Sequence, residues 1–109
     1  IELWDGAFHR LIAQCARNRP LLTAFALLDK IRSNPEWIRI RAKARSAPSL
    51  EVSHCEHVTI IEAIAAQNPE LARTAMRDHL TTRFDALRQE MDPADAAWAS
   101  VLFDPDTGA

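Results

Sequence analysis

The chain has 109 residues, which is enough for one domain with one hydrophobic core. Its composition, 48% apolar with two glycines and no tyrosine, is typical of a helical bundle and argues against disorder or an all-β fold. Thirteen basic against fifteen acidic residues give a net charge of −2, so the chain lacks the broad basic field with which proteins bind nucleic acid.

Helical spacing predicts a first helix over residues 2–17. Its apolar stripe consists of Trp4, Phe8, Leu11 and Cys15. Asp5 and His9 are four residues apart, so they lie on one face of the helix, beside this stripe. Asn18 and Pro20 are predicted to end the helix, because Asn tolerates a left-handed backbone and Pro cannot continue a helix.

A second helix is predicted over residues 20–32 and a third over 35–46, which Pro35 begins directly after a capping side chain. The apolar side of the second helix is Leu21, Leu22, Phe25, Leu28 and Ile31. The third helix carries a basic run that is compatible with nucleic-acid contact. The negative net charge of the chain favours a solvated helix face instead.

A fourth helix is predicted over residues 50–67, with Ser49 as its cap after a short linker. One of its faces carries Leu50, His54, His57, Ile61 and Ile64. Glu56 and Glu62 fall outside this face and are expected to be solvated. The two cysteines, Cys15 and Cys55, form no disulfide framework and are interpreted as small core residues of a cytoplasmic protein.

Asn68 and Pro69 predict the start of a fifth helix, which runs to about residue 91. Its inward face carries Ala72, Ala75, Met76, His79, Arg83 and Ala86. A last short helix is predicted from Asp92 to Leu102, and residues 104–108 are expected to be a frayed tail. No segment alternates with a period of two, so no sheet is predicted, and no apolar run reaches membrane-spanning length.

One carboxylate and three imidazoles thus fall on or beside the apolar faces of three helices: Asp5, His9, His57 and His79. Such a set suits zinc, nickel, iron or manganese, and burying several titratable groups together is costly unless they are paired or bind a metal. A single histidine on an apolar face is more often a core residue that is bonded to a carbonyl. Spacing alone therefore leaves a metal site and structural histidines both open.

Three segments resemble a known family. Asp5-Gly-Ala-Phe-His9, followed by Asn18-Arg-Pro-Leu-Leu, is similar to the opening of the effector-binding FCD domain of GntR-type transcription regulators of the FadR subgroup. Glu56-His57-Val-Thr-Ile-Ile-Glu-Ala-Ile and Ala72-Arg-Thr-Ala-Met-Arg-Asp-His79-Leu80 resemble two later segments of that domain. The resemblance covers most of residues 4–90, in the right order.

The resemblance implies an all-helical domain that controls an N-terminal winged helix-turn-helix domain. It implies a divalent metal bound by Asp5, His9, His57 and His79, and a small organic acid whose carboxylate reaches that metal. The stretch 28–37 is similar to members that sense sugar acids or hydroxy acids. The resemblance also implies a homodimer that meets DNA only through the N-terminal domain. We expect that domain, and the first helices of this one, to precede residue 1.

We therefore predict an all-α antiparallel bundle of five to six helices around a central metal site, with residues 1–109 as one effector-binding domain and no catalytic residues. Arg83, Arg32 and His54 are the predicted effector contacts. Arg83 lies four residues after His79, so it rises from the same helix face. Its guanidinium is explained equally by a salt bridge and by a contact with the effector.

Two other functions remain open on the sequence. A metal that keeps a water molecule could serve a hydrolase or hydratase acting on a small carboxylate. Glu56, the general base that such an enzyme would need, is expected on the wrong side of the fourth helix. The second alternative function is that of a metal-free interaction domain in which the histidines are structural.

Overall fold

A computed structural model describes residues 2–94 of the chain. The helices are α1 (Glu2–Cys15), α2 (Arg19–Arg32), α3 (Pro35–Ala44), α4 (Ala47–Ala65) and α5 (Pro69–Gln89). No strand occurs within residues 2–94, so the predicted all-α fold class is confirmed. Most of the predicted sixth helix, and the predicted tail, lie outside the described residues. None of the described helices is long and apolar enough to cross a membrane.

The chain divides into two compact units, Ile1–Arg39 and Ile40–Ala109. In the first unit α1 packs against α2, and in the second α4 packs against α5. Each pair is antiparallel, because cross-helix contacts join early residues of one helix to late residues of the other. Arg32 bonds Asp5 in the first pair, and Arg83 bonds the carbonyl of Ser49 in the second.

The two helix pairs turn in the same way. Arg17 (φ 52°) and Gln67 (φ 54°) have left-handed backbone, and an extended asparagine follows each of them. The side chain of Asn18 accepts a hydrogen bond from the backbone N–H of Leu21, and Asn68 caps α5 in the same way. The prediction for Asn68 is confirmed. The left-handed residue predicted at position 18 is wrong, because Asn18 caps the next helix and Arg17 takes the left-handed turn.

Helix α4 begins earlier than predicted. Ser46 is its N-cap, and its hydroxyl accepts from the backbone N–H of Ser49 at 3.2 Å while the hydroxyl of Ser49 accepts from the backbone N–H of Ser46 at 2.8 Å. This reciprocal pair satisfies two backbone donors at the helix start, so the stretch 47–49 is the first turn of the helix and not a linker.

The buried face of α4 is rotated from the predicted one. Ile60 and Ala63 are 1% exposed, whereas Ile61 and Ile64 are 51% and 49% exposed. From Ser53 onward, the covered side chains of α4 follow helical spacing, at Ser53, Glu56, His57, Ile60 and Ala63. The predicted inward face of α5 is confirmed, since each of its six residues is buried or half-buried.

The predicted stripe of α1 is largely solvated. Trp4 is 79% and Leu11 is 60% exposed, whereas the side that carries Asp5 and His9 is half-buried. Cys15 and Cys55 are exposed thiols and not the core residues that the sequence led us to expect. The sequence pattern predicted α1 and α4 correctly as helices with one covered face. It did not predict which face is covered, because the apolar residues of each helix occupy more than one face.

Candidate metal centre

Two imidazoles of the second unit meet at the α4–α5 contact. The Nε2 atoms of His57 and His79 lie 3.2 Å apart, and the rings meet edge to face with centroids 4.6 Å apart. His79 is 1% exposed and is the largest fully buried side chain of α5 within the described residues. The α4–α5 packing therefore brings two imidazole nitrogens together at a place from which solvent is largely excluded.

Glu56 lies against the other side of the His79 ring. Its Oε1 is 3.2 Å from Nδ1 of His79, and its side chain is 19% exposed. An ionised carboxylate only accepts hydrogen bonds, so Nδ1 of His79 is the donor. In a neutral ring the lone pair then resides on Nε2, the atom that faces His57. The sequence-based expectation that Glu56 is solvated and on the wrong side of the helix is wrong.

Arg83 lies near the same oxygen of this carboxylate. Its Nη2 lies 3.6 Å from Oε1 of Glu56, and its Nη1 donates to the backbone carbonyl of Ser49 at 3.3 Å. The side chain is 27% exposed. Its Nε atom is buried and has no hydrogen-bond partner among the described residues. A buried donor without a partner is uncommon in folded proteins, so this Nε–H can donate to a bound polar group.

In the first unit, Asp5 lies between a histidine and an arginine. Its Oδ1 is 3.7 Å from Nε2 of His9, and its Oδ2 accepts from Nη2 of Arg32 at 3.1 Å. The His9 side chain is 13% exposed, and the ring of Phe8 meets it edge to face. Arg32 therefore holds one carboxylate oxygen of Asp5 and leaves the other toward the imidazole.

The predicted site residues are distributed over both units. Asp5 and His9 are neighbours in the first unit, as helical spacing requires, and His57 and His79 are neighbours in the second. His54 is exposed on α4. Glu56 is the site residue that sequence reasoning missed. The signal for it in the sequence is the helical spacing that it shares with Ile60 and Ala63, whereas the predicted face followed Ile61 and Ile64.

The two histidines of the second unit fit a divalent ion. Two ligands that are each about 2.0–2.1 Å from one ion lie about 2.9–3.4 Å apart in octahedral or tetrahedral geometry. The 3.2 Å between the Nε2 atoms of His57 and His79 falls in this range. Histidines that bind metals commonly donate their second ring N–H to a carboxylate, as Nδ1 of His79 does to Glu56.

Comparison with known proteins gives a family and a relative. The family described as the FCD domain matches residues 3–82. The HTH-type transcriptional repressor GlaR of Escherichia coli (strain K12) is 29% identical over 94 residues, which cover 84% of this chain and 43% of that protein. The chain thus spans less than half the length of this relative. No solved structure gives a significant match.

Proposed function

Because the chain belongs to the FCD domain family, we propose that it is the ligand-sensing domain of a GntR-type transcription regulator of the FadR subgroup. In this proposal it controls DNA binding by a separate N-terminal domain, in a cytoplasmic homodimer. The name of the Escherichia coli relative, an HTH-type transcriptional repressor, supports a role in transcription. The net charge of −2 agrees with a domain that does not itself read DNA.

We propose that Asp5, His9, His57 and His79 bind one divalent ion, which is zinc, nickel, iron or manganese. The observation that carries this proposal is the 3.2 Å approach of the His57 and His79 Nε2 atoms, with Glu56 on the opposite nitrogen of His79. When bound, the ion supplies a coordination position that a carboxylate oxygen of the effector can occupy. The protein residues set the ligand geometry and exclude water.

The proposed effector is a small organic acid, either a sugar acid or a hydroxy acid. Arg83 is proposed to bind its second polar group, because the buried Nε–H of Arg83 has no partner among the described residues. Arg32 is proposed to contact the acid as well, because its guanidinium lies beside Asp5, one of the proposed metal ligands. His54 stays a third proposed contact, from an exposed position on α4.

The proposed mechanism is differential binding. An effector shifts an equilibrium between two arrangements of a protein only by the difference of its affinities for them. Here the effector favours one arrangement of the helices, and the DNA-reading domains follow that arrangement. The chain performs no chemistry on the acid.

Calorimetric titration of the metal-loaded chain with D-gluconate and with L-lactate tests the effector proposal. We expect one acid class to bind, and Arg83→Met to weaken that binding by about 1.5–3 kcal/mol, the cost of a lost charge-assisted hydrogen bond. Arg73→Met is the matched control, because Arg73 is an exposed arginine of the same helix. An Arg83→Met affinity within a factor of two of the parent would assign Arg83 a purely structural role.

The same titrations separate a sensor from a metal-dependent hydrolase or hydratase. A sensor returns the acid unchanged after prolonged incubation with the metal-loaded chain, and nuclear magnetic resonance spectra of the acid detect any product. Turnover that disappears with the metal would instead favour the enzyme.

A further inference from the structure

We propose that Glu56 is a positioning residue, which holds His79 in the tautomer that presents its Nε2 lone pair to a metal. This inference rests on the metal site of the proposed function and adds a residue to it. Glu56 itself does not contact the ion. Its effect passes entirely through the ring of His79, the buried histidine at the α4–α5 contact.

The directions of the hydrogen bonds carry the argument. A neutral imidazole has one N–H and one lone pair, and the partner of one nitrogen decides which it carries. Oε1 of Glu56 lies 3.2 Å from Nδ1 of His79, and a carboxylate offers only acceptor atoms there. The proton is therefore on Nδ1, and the Nε2 lone pair faces His57.

The metal-free contact between the two histidines follows from this assignment. With a lone pair on Nε2 of His79, the 3.2 Å contact is a hydrogen bond that Nε2–H of His57 donates. For both Nε2 lone pairs to face an ion, the N–H of His57 would have to be on its Nδ1 instead, a change of tautomer that leaves the ring neutral. His79 needs no change of tautomer, so it is the ligand already arranged for binding.

The carboxylate is itself held in place. Arg83 lies 3.6 Å from Oε1 of Glu56 and bonds the carbonyl of Ser49, in the first turn of α4. Glu56 thus connects a buried ligand of α5 to an arginine that the start of α4 anchors. Carboxylates that orient a metal-bound histidine in this manner typically change the metal affinity 10–100-fold when they are removed.

Zn²⁺ affinity measured by competition with a chromogenic chelator tests this role. We expect Glu56→Ala to weaken binding about 10–100-fold. Glu56→Gln should weaken it less, because the carboxamide oxygen still accepts from Nδ1–H of His79. Glu62→Gln, at an exposed glutamate of the same helix, should stay within a factor of two of the parent. Equal affinities for the parent and the folded Glu56→Ala variant would overturn the proposal.

The nitrogen chemical shifts of His79 in the metal-free chain give a second readout, one that needs no metal. The parent should show a protonated Nδ1 and an unprotonated Nε2, and Glu56→Ala should populate the Nε2–H form. A parent with the proton on Nε2 overturns this inference even if zinc binds. A parent with the expected tautomer that binds no zinc overturns the proposed metal site instead.

Discussion

The two helix pairs, α1–α2 and α4–α5, share a turn but differ in what holds them together. In both, a left-handed residue precedes an asparagine that caps the second helix. The α4–α5 pair encloses Ile60, Ala63 and His79, each 1% exposed. The α1–α2 pair is joined by salt bridges from Arg10 and Arg32, and α2 has no buried residue.

This difference means that the two helix pairs hold their proposed site residues with unequal rigidity. Exposed ion pairs contribute little to stability, whereas buried and hydrogen-bonded groups resist rearrangement. The proposed ligands on α4 and α5 are therefore held in place without a metal. Asp5 and His9 have 26% and 13% exposed side chains, and Arg32 competes for the carboxylate. We infer that α4–α5 is the preorganised half of the proposed site.

The largest expected effect is a difference in stability between two variants, one with a substitution in the α4–α5 pair and one with a substitution in the α1–α2 pair. His79→Ala should lower the free energy of unfolding by about 2–4 kcal/mol, because it leaves a cavity and removes one partner of Glu56. Asp5→Ala should cost about 0.5–1 kcal/mol, as expected for a partly exposed ion pair. Urea unfolding of both variants in the presence of a chelator measures these costs without the metal. Equal losses in the free energy of unfolding for the two variants would contradict the proposed difference between the helix pairs.

A smaller effect tests what the pairs have in common. Asn18→Ala and Asn68→Ala each remove a side chain that caps a helix, so each should cost about 1 kcal/mol. Asn18→Ser and Asn68→Ser are matched controls, because serine also caps helices, and they should recover most of the loss. If only one of the two alanine variants were destabilised, the turns would differ in energy despite their shared geometry.

Much of the fold was predictable because its boundaries are local. Asn68 and Pro69 determine the start of α5, and Pro35 the start of α3, through their own backbone and side-chain chemistry. The resemblance to the FCD domain is likewise confirmed by the family match over residues 3–82. The start of α4 was missed because Ser46 and Ser49 act as a pair, and a single serine was chosen as the cap.

The covered faces were harder to predict, for a physical reason. Helix α4 carries Ile60, Ile61, Ala63 and Ile64, so two faces offer nearly equal apolar area, and only tertiary packing decides between them. The choice of face determined the environment assigned to Glu56. The same ambiguity affects α1, where Trp4 and Leu11 are solvated and Asp5 and His9 are the more covered. Polar residues with a role in a site can occupy the covered face.

The metal content of the purified chain tests the central claim most directly. Elemental analysis after purification without chelators should find about one divalent ion per chain. Cys55→Ser, a change at an exposed thiol of α4, should retain that ion, and His57→Ala should lose it. Adding the ion at 100 times its dissociation constant should stabilise the folded chain by about 2.7 kcal/mol. A parent chain that contains no metal, and whose melting temperature does not change when zinc, nickel, iron or manganese is added, would contradict the account.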